Sequence, residues 1–110
     1  MPHAELKYSA DLDIDPTAIL AAIEQTILRH DSGSGPCKGR AYPAAQFNHT
    51  HLLLAVTMLR KPHRDTDFTD RLMEDLESTI KTMIGQSCHF SFSLDYSTGH
   101  YVTNRHEVVR

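Results

Sequence analysis

Residues 51–59 read HLLLAVTML, residues 68–84 read FTDRLMEDLESTIKTMI, and residues 89–96 read HFSFSLDY. The first stretch is the strongest β run in the chain. In the second, Phe68, Leu72, Met73, Leu76, Ile80, Met83 and Ile84 recur at i+3 and i+4, the stripe of an amphipathic helix, and Gly85 is a good stop. The third alternates strictly, with Phe90, Phe92 and Leu94 against Ser91, Ser93 and Asp95, which is the period of a strand with one buried face. The turn between the first two holds Lys61-Pro62-His63-Arg64. Asp65, Thr66 or Asp67 then caps the helix, and the sequence does not choose among them.

Working back toward the amino terminus, the same order recurs. Ala4, Leu6 and Tyr8 alternate with His3, Glu5 and Lys7 in a first strand over 3–9. Asp15-Pro16 opens a helix, because Asp caps the free amides and Pro fits the first helical position. Ile19, Ile23 and Ile27 continue its apolar stripe to about His30. Asp31-Ser32-Gly33-Ser34-Gly35-Pro36 forms a loop, and Gly39 to Phe47 is a weaker strand whose Pro43 places it at an edge or a bulge. Asn48-His49 turns the chain into residues 51–59.

Strand, helix, strand, twice over, predicts an α+β fold of tandem βαβ units: a four-stranded mixed sheet with two helices on one face. A 15-residue helix is ~22 Å long and a seven-residue strand ~23 Å, so each helix can return the chain for a parallel strand. The expected boundaries are 1–48 for the first unit, 49–96 for the second and 97–110 for a carboxy-terminal arm. Helices on one face leave the other uncovered. That face is expected to show Phe or Ile side chains to water unless something packs on it, so an oligomer is expected.

Composition narrows the function classes. The chain has 110 residues, 40% hydrophobic, with 11 Lys+Arg against 14 Asp+Glu and a net charge of −3. One small domain is expected, since two cores would each be hard to stabilise. No apolar run approaches the ~20 residues of a membrane span, and no secretory signal pattern opens the chain, so a cytoplasmic protein without a membrane partner is expected. A mildly acidic balance offers no footprint for nucleic acid. Cys37 and Cys88 lack disulfide or zinc spacing and read as reduced thiols. The eight histidines include His49 and His51, which would share a strand face, but no metal-site motif accompanies them.

The second residue is proline. Removal of Met1 would leave Pro2 a free secondary amine at the start of a strand. An α-amine has an ordinary pKa of ~7.7–8.0, so a modest push from burial or a nearby cation makes it a base at neutral pH.

Met-Pro-His opening a strand, Tyr8-Ser9, Lys38-Gly39-Arg40-Ala41, Val56-Thr57-Met58-Leu59, Arg64 before helix two and Phe90-Ser91-Phe92-Ser93-Leu94 together resemble the 5-carboxymethyl-2-hydroxymuconate isomerase family of the tautomerase superfamily. The resemblance covers nearly the whole chain. It implies an isomerase that moves a proton within a small unsaturated 2-hydroxy or 2-oxo carboxylic acid, with Pro2 as acid and base. It also implies Arg40 and Arg64 as carboxylate binders, no cofactor, no metal and a homotrimer. Two guanidiniums suit a dianion because each offers bidentate donors. Relatives commonly carry a Gly-Arg-Ser-like turn where this chain has Pro62-His63-Arg64-Asp65, and the adjacent Asp65 is a candidate partner for Arg64. A trimeric binding module with the same fold and an idle pocket is the alternative reading.

Overall fold

The computed structural model describes residues 1–109. Its elements are β1 (His3–Ser9), α1 (Pro16–His30), β2 (Lys38–Ala44), β3 (His51–Leu59), α2 (Thr66–Lys81) and β4 (His89–Ser97). Strand β2 is shorter than expected and α2 stops before Gly85; Met83 and Ile84 follow it as turns bonded back to Ile80 and Lys81. Asp15 caps α1 by accepting from the Ala18 amide, and Asp65 caps α2 by accepting from the Phe68 amide. Asp65 therefore serves the helix and not Arg64.

The sheet order is β2-β1-β3-β4. Strands β1 and β2 run parallel, as do β3 and β4, while β1 and β3 pair antiparallel. Each helix thus bridges a parallel pair, and the two βαβ units join along the β1–β3 seam. Pro43 sits on the outer strand, where its missing amide costs no ladder bond.

Register assigns every side chain a face. Ala4 lies beside Val56, Leu6 beside Leu54, and Leu52 beside Phe90. All these side chains therefore point the same way, onto Ile19, Ile23 and Ile27 of α1 and Leu72, Leu76 and Ile80 of α2, which are fully buried. Gly39 allows the closest approach of helix to sheet, since a Cβ there would lie 2.8 Å from the Leu20 Cδ2.

The expectation of aromatic side chains on the open face is corrected by this register. Phe90, Phe92 and Leu94 pack against the core beneath the helices. The open face carries His3, Glu5, Lys7, Arg40, Thr57 and Ser93, with Leu53 (41% exposed) and Tyr42 (45% exposed) as its apolar members. The reason is phase: Phe90 pairs with Leu52, whose neighbours in alternation are already core. No helix among the described residues is long and apolar enough to cross a membrane.

Ile23, on α1, is fully buried in the single core cluster. Ile23→Ala is expected to cost about 2–5 kcal/mol in urea unfolding; a loss within 0.5 kcal/mol would remove Ile23 from the core.

Candidate active site at the amino terminus

β1 is an inner strand, parallel to β2 and antiparallel to β3. Its first residues therefore lie between the start of β2 and the end of β3. Pro2 is buried, and its carbonyl accepts from the Lys38 amide at 3.0 Å, the first rung of the β1–β2 pairing. The α-amine of Met1 is held below its ordinary pKa by burial first, then by the positive charges of Lys38, Lys61 and Arg64. The Met1 thioether sulfur contacts the Lys38 Nζ. The Tyr101 hydroxyl, from the segment after β4, lies 3.4 Å from the Met1 carbonyl oxygen as its donor.

Arg40 stands on the open face of β2. Its Nη2 lies 2.9 Å from the His3 Nδ1, and Nη1 lies 3.7 Å from Glu5. Burial, then the charges of Arg40, Lys38 and the α-amine, hold His3 below the usual histidine pKa against the opposing charge of Glu5. His3 is therefore a neutral acceptor for Arg40 at neutral pH. Through His3, Arg40 is joined to the first residue of β1, directly after Pro2.

Arg64 is placed differently from a free carboxylate binder. Only 2% of it is exposed. Its Nε and Nη2 donate to the Asp31 carboxylate at 3.0 and 2.8 Å, and its Nη1 donates to the Leu59 carbonyl at 2.6 Å. His63 Nε2 lies 2.8 Å from the same Asp31 oxygen. Asp31 closes α1, so this cluster ties the loop after α1 to the turn before α2. Burial alone would raise the Asp31 pKa; hydrogen bonds and charge from His63 and Arg64 outweigh it and hold the carboxyl below its ordinary value.

Other candidates lie elsewhere. His51 opens β3, whereas His49 sits in the preceding turn at φ 66°, its ring centroid 5.8 Å from that of His89. The described residues contain no group of three or more His, Cys, Asp or Glu that could hold a metal ion. Burial, reinforced by Glu24, pushes the Cys37 thiol up to about 11, which leaves it a protonated packing group at neutral pH.

No protein-family model matches the chain, and no curated protein matches it. Solved structures do. A 5-carboxymethyl-2-hydroxymuconate delta-isomerase superposes with a TM-score of 0.79 at 20% identity, covering 96% of this chain and 89% of that one. A 5-carboxymethyl-2-hydroxymuconate isomerase from Deinococcus radiodurans R1 gives 0.62 at 16%, covering 94% and 90%. A fused 4-OT wild-type symmetric trimer gives 0.68 at 13%, covering 86% and 85%. The chain has the tautomerase-type fold that these isomerase structures share, as the resemblance of its motifs implied.

The sequence singles out Pro2 and Arg40; the surroundings of the terminus also include Lys38, Lys61 and Tyr101, with Asp31 holding Arg64, and none of these was singled out. Lys38 was within reach, because it starts the strand that pairs with β1. Asp31 and Tyr101 carry no local signal.

Asp31→Ala would strand a buried guanidinium and is expected to cost about 3–5 kcal/mol in urea unfolding. Because the folded carboxyl has the lower pKa, its stabilisation is present above the unfolded value and is lost as pH falls through the folded one. Wild type should lose stability in that acid window, and Asp31→Asn should lose less. Parallel acid titrations would contradict the pairing.

Proposed function

We propose that the protein is a cytoplasmic, homotrimeric tautomerase or isomerase acting on a small unsaturated 2-hydroxy or 2-oxo carboxylic acid, of the 5-carboxymethyl-2-hydroxymuconate isomerase kind. The observation that carries this reading is the electrostatic setting of the amino terminus: an amine in a partly buried position, with cations from β2 and from the turn after β3 around it. Two of the structural neighbours are 5-carboxymethyl-2-hydroxymuconate isomerases, which supports the reaction class, and the trimeric neighbours support the assembly.

Removal of Met1 makes Pro2 the terminal secondary amine. Neutral Pro2 accepts the proton of the substrate's 2-hydroxyl, the C–O bond becomes a carbonyl, and the alkene electron pair moves to carbon. The resulting ammonium returns the proton to that carbon, so atoms and charge balance without a redox partner. The surrounding cations disfavour the charged form of an amine placed here and favour negative charge developing on oxygen. Arg40 supplies bidentate donors for a carboxylate and is held in orientation by His3 and Glu5. Arg64 contributes its charge and holds the turn in place, since its donors are committed to Asp31 and Leu59.

Intact mass of native protein should show loss of Met1. Pro2→Ala should slow ketonisation of a simple enol acid by about 10²–10⁴-fold, while kcat/KM of the wild type rises with pH through a pKa below the ordinary α-amine range of ~7.7–8.0. Retained Met1, or equal rates for wild type and Pro2→Ala, would leave the idle-pocket binding module in place of the enzyme.

A further inference from the structure

Three histidines that the proposed reaction does not use meet at the far end of the sheet. His51 opens β3 and pairs in register with His89, which opens β4; both point away from the helices, because Leu52 and Phe90 beside them pack in the core. His49, in the turn before β3, sets its ring edge-on to that of His89, with centroids 5.8 Å apart and planes at 77°. This corner lies at the start of β3, whereas the amino terminus meets the end of it. Nine residues of strand, ~30 Å, separate the two places.

The backbone holds the corner together. The His89 amide donates to the Thr50 carbonyl at 3.0 Å, and the His51 Nδ1 donates to the His49 carbonyl at 2.8 Å. His49 has a φ of 66°, in the left-handed region that a residue with a side chain keeps only where its surroundings over-determine it, and such residues cluster at functional sites. The His49 and His89 rings border an open cavity of about 320 Å³, lined also by Thr50, Ser87 and Cys88. Cys88 packs against the core, which leaves the two imidazoles as the donors. Asp11 adds negative charge beside the turn, its carboxylate accepting from the Thr50 hydroxyl at 2.5 Å.

We propose that His49 and His89 form a two-histidine site for a divalent transition ion of the zinc class, with water completing the coordination shell. Two imidazoles on one ion, at ~2.0–2.1 Å per nitrogen, bring their ring centres to about 5 Å. The observed 5.8 Å needs only a small side-chain rotation to reach that. Imidazole suits such ions, whereas Mg²⁺ and Ca²⁺ take oxygen ligands. No set of three or more protein ligands exists among the described residues, so the bound ion exchanges freely and fastens the turn before β3 to the start of β4. The site is independent of the tautomerase reading.

Full-length protein is titrated calorimetrically with Zn²⁺ in excess Mg²⁺, and the imidazole nitrogens are followed by NMR. His49→Asn, which keeps a residue tolerant of the left-handed region, and His89→Gln should each weaken Zn²⁺ binding by about 10-fold or more. His100→Ala and His106→Ala, at exposed positions after β4, should leave it within twofold. Zn²⁺ should shift the ring nitrogens of His49 and His89, and should raise the melting temperature of wild type more than that of either site variant. Should His89→Gln fail to fold, His49→Asn and the ring shifts decide. Affinity within twofold of wild type in the folded site variants, shifts confined to other histidines, or a wild type that binds no Zn²⁺ would overturn the site.

Discussion

Antiparallel pairing of β1 with β3 is the constraint on which the rest of the molecule depends. It joins two parallel strand pairs, each closed by its own helix, into one sheet. It also sets what gathers at the amino terminus. Because β1 runs with β2 and against β3, the start of β1, the start of β2 and the end of β3 fall at one edge of the molecule. The turn leaving β3 then brings Lys61 and Arg64 to that edge. Strand β4 ends there too, being parallel to β3, and its continuation carries Tyr101 to Met1. Residues scattered from 1 to 101 meet because of strand direction alone.

The loops at that edge need holding, and Asp31 does it. Its carboxylate accepts from Arg64 and His63 of one loop while its backbone closes α1 at the other. Burying a guanidinium carries a desolvation cost that only a well-formed pair offsets, so removing either partner costs more than the pair itself contributes. Lys61 and the chain entering α2 are thereby held near Pro2. A second tie, His30 and Arg29 to Asp75, fastens α1 to α2 on the outer surface and depresses the Asp75 pKa, chiefly through the His30 hydrogen bond.

Both helices cover one sheet face, and the other is polar with a minority of apolar side chains. Strands β2 and β4 present open edges. Unpaired edges are templates for association. The expected apolar face would have required Phe90 and Phe92 to be out of phase with Leu52 and Leu54, which alternation forbids once β3 and β4 pair in register.

Hydrophobic period, the Asp15-Pro16 start, the Pro43 edge and the order of elements are local properties, so the tandem βαβ plan was legible in the sequence by itself. Pro2 stands out in the chain as the residue behind a removable methionine, and Arg40 as a cation two residues after the start of a strand. What the sequence could not decide is which cations stay free. Arg64 looks like a binder in the chain and is a buried clasp in the fold, because its partner Asp31 lies 33 residues away. Lys38 looks ordinary in the chain and faces the terminus in the fold, because a parallel pairing sets it beside Pro2. Charge type is written in the residue; charge availability is fixed only when distant loops meet and consume one another's donors.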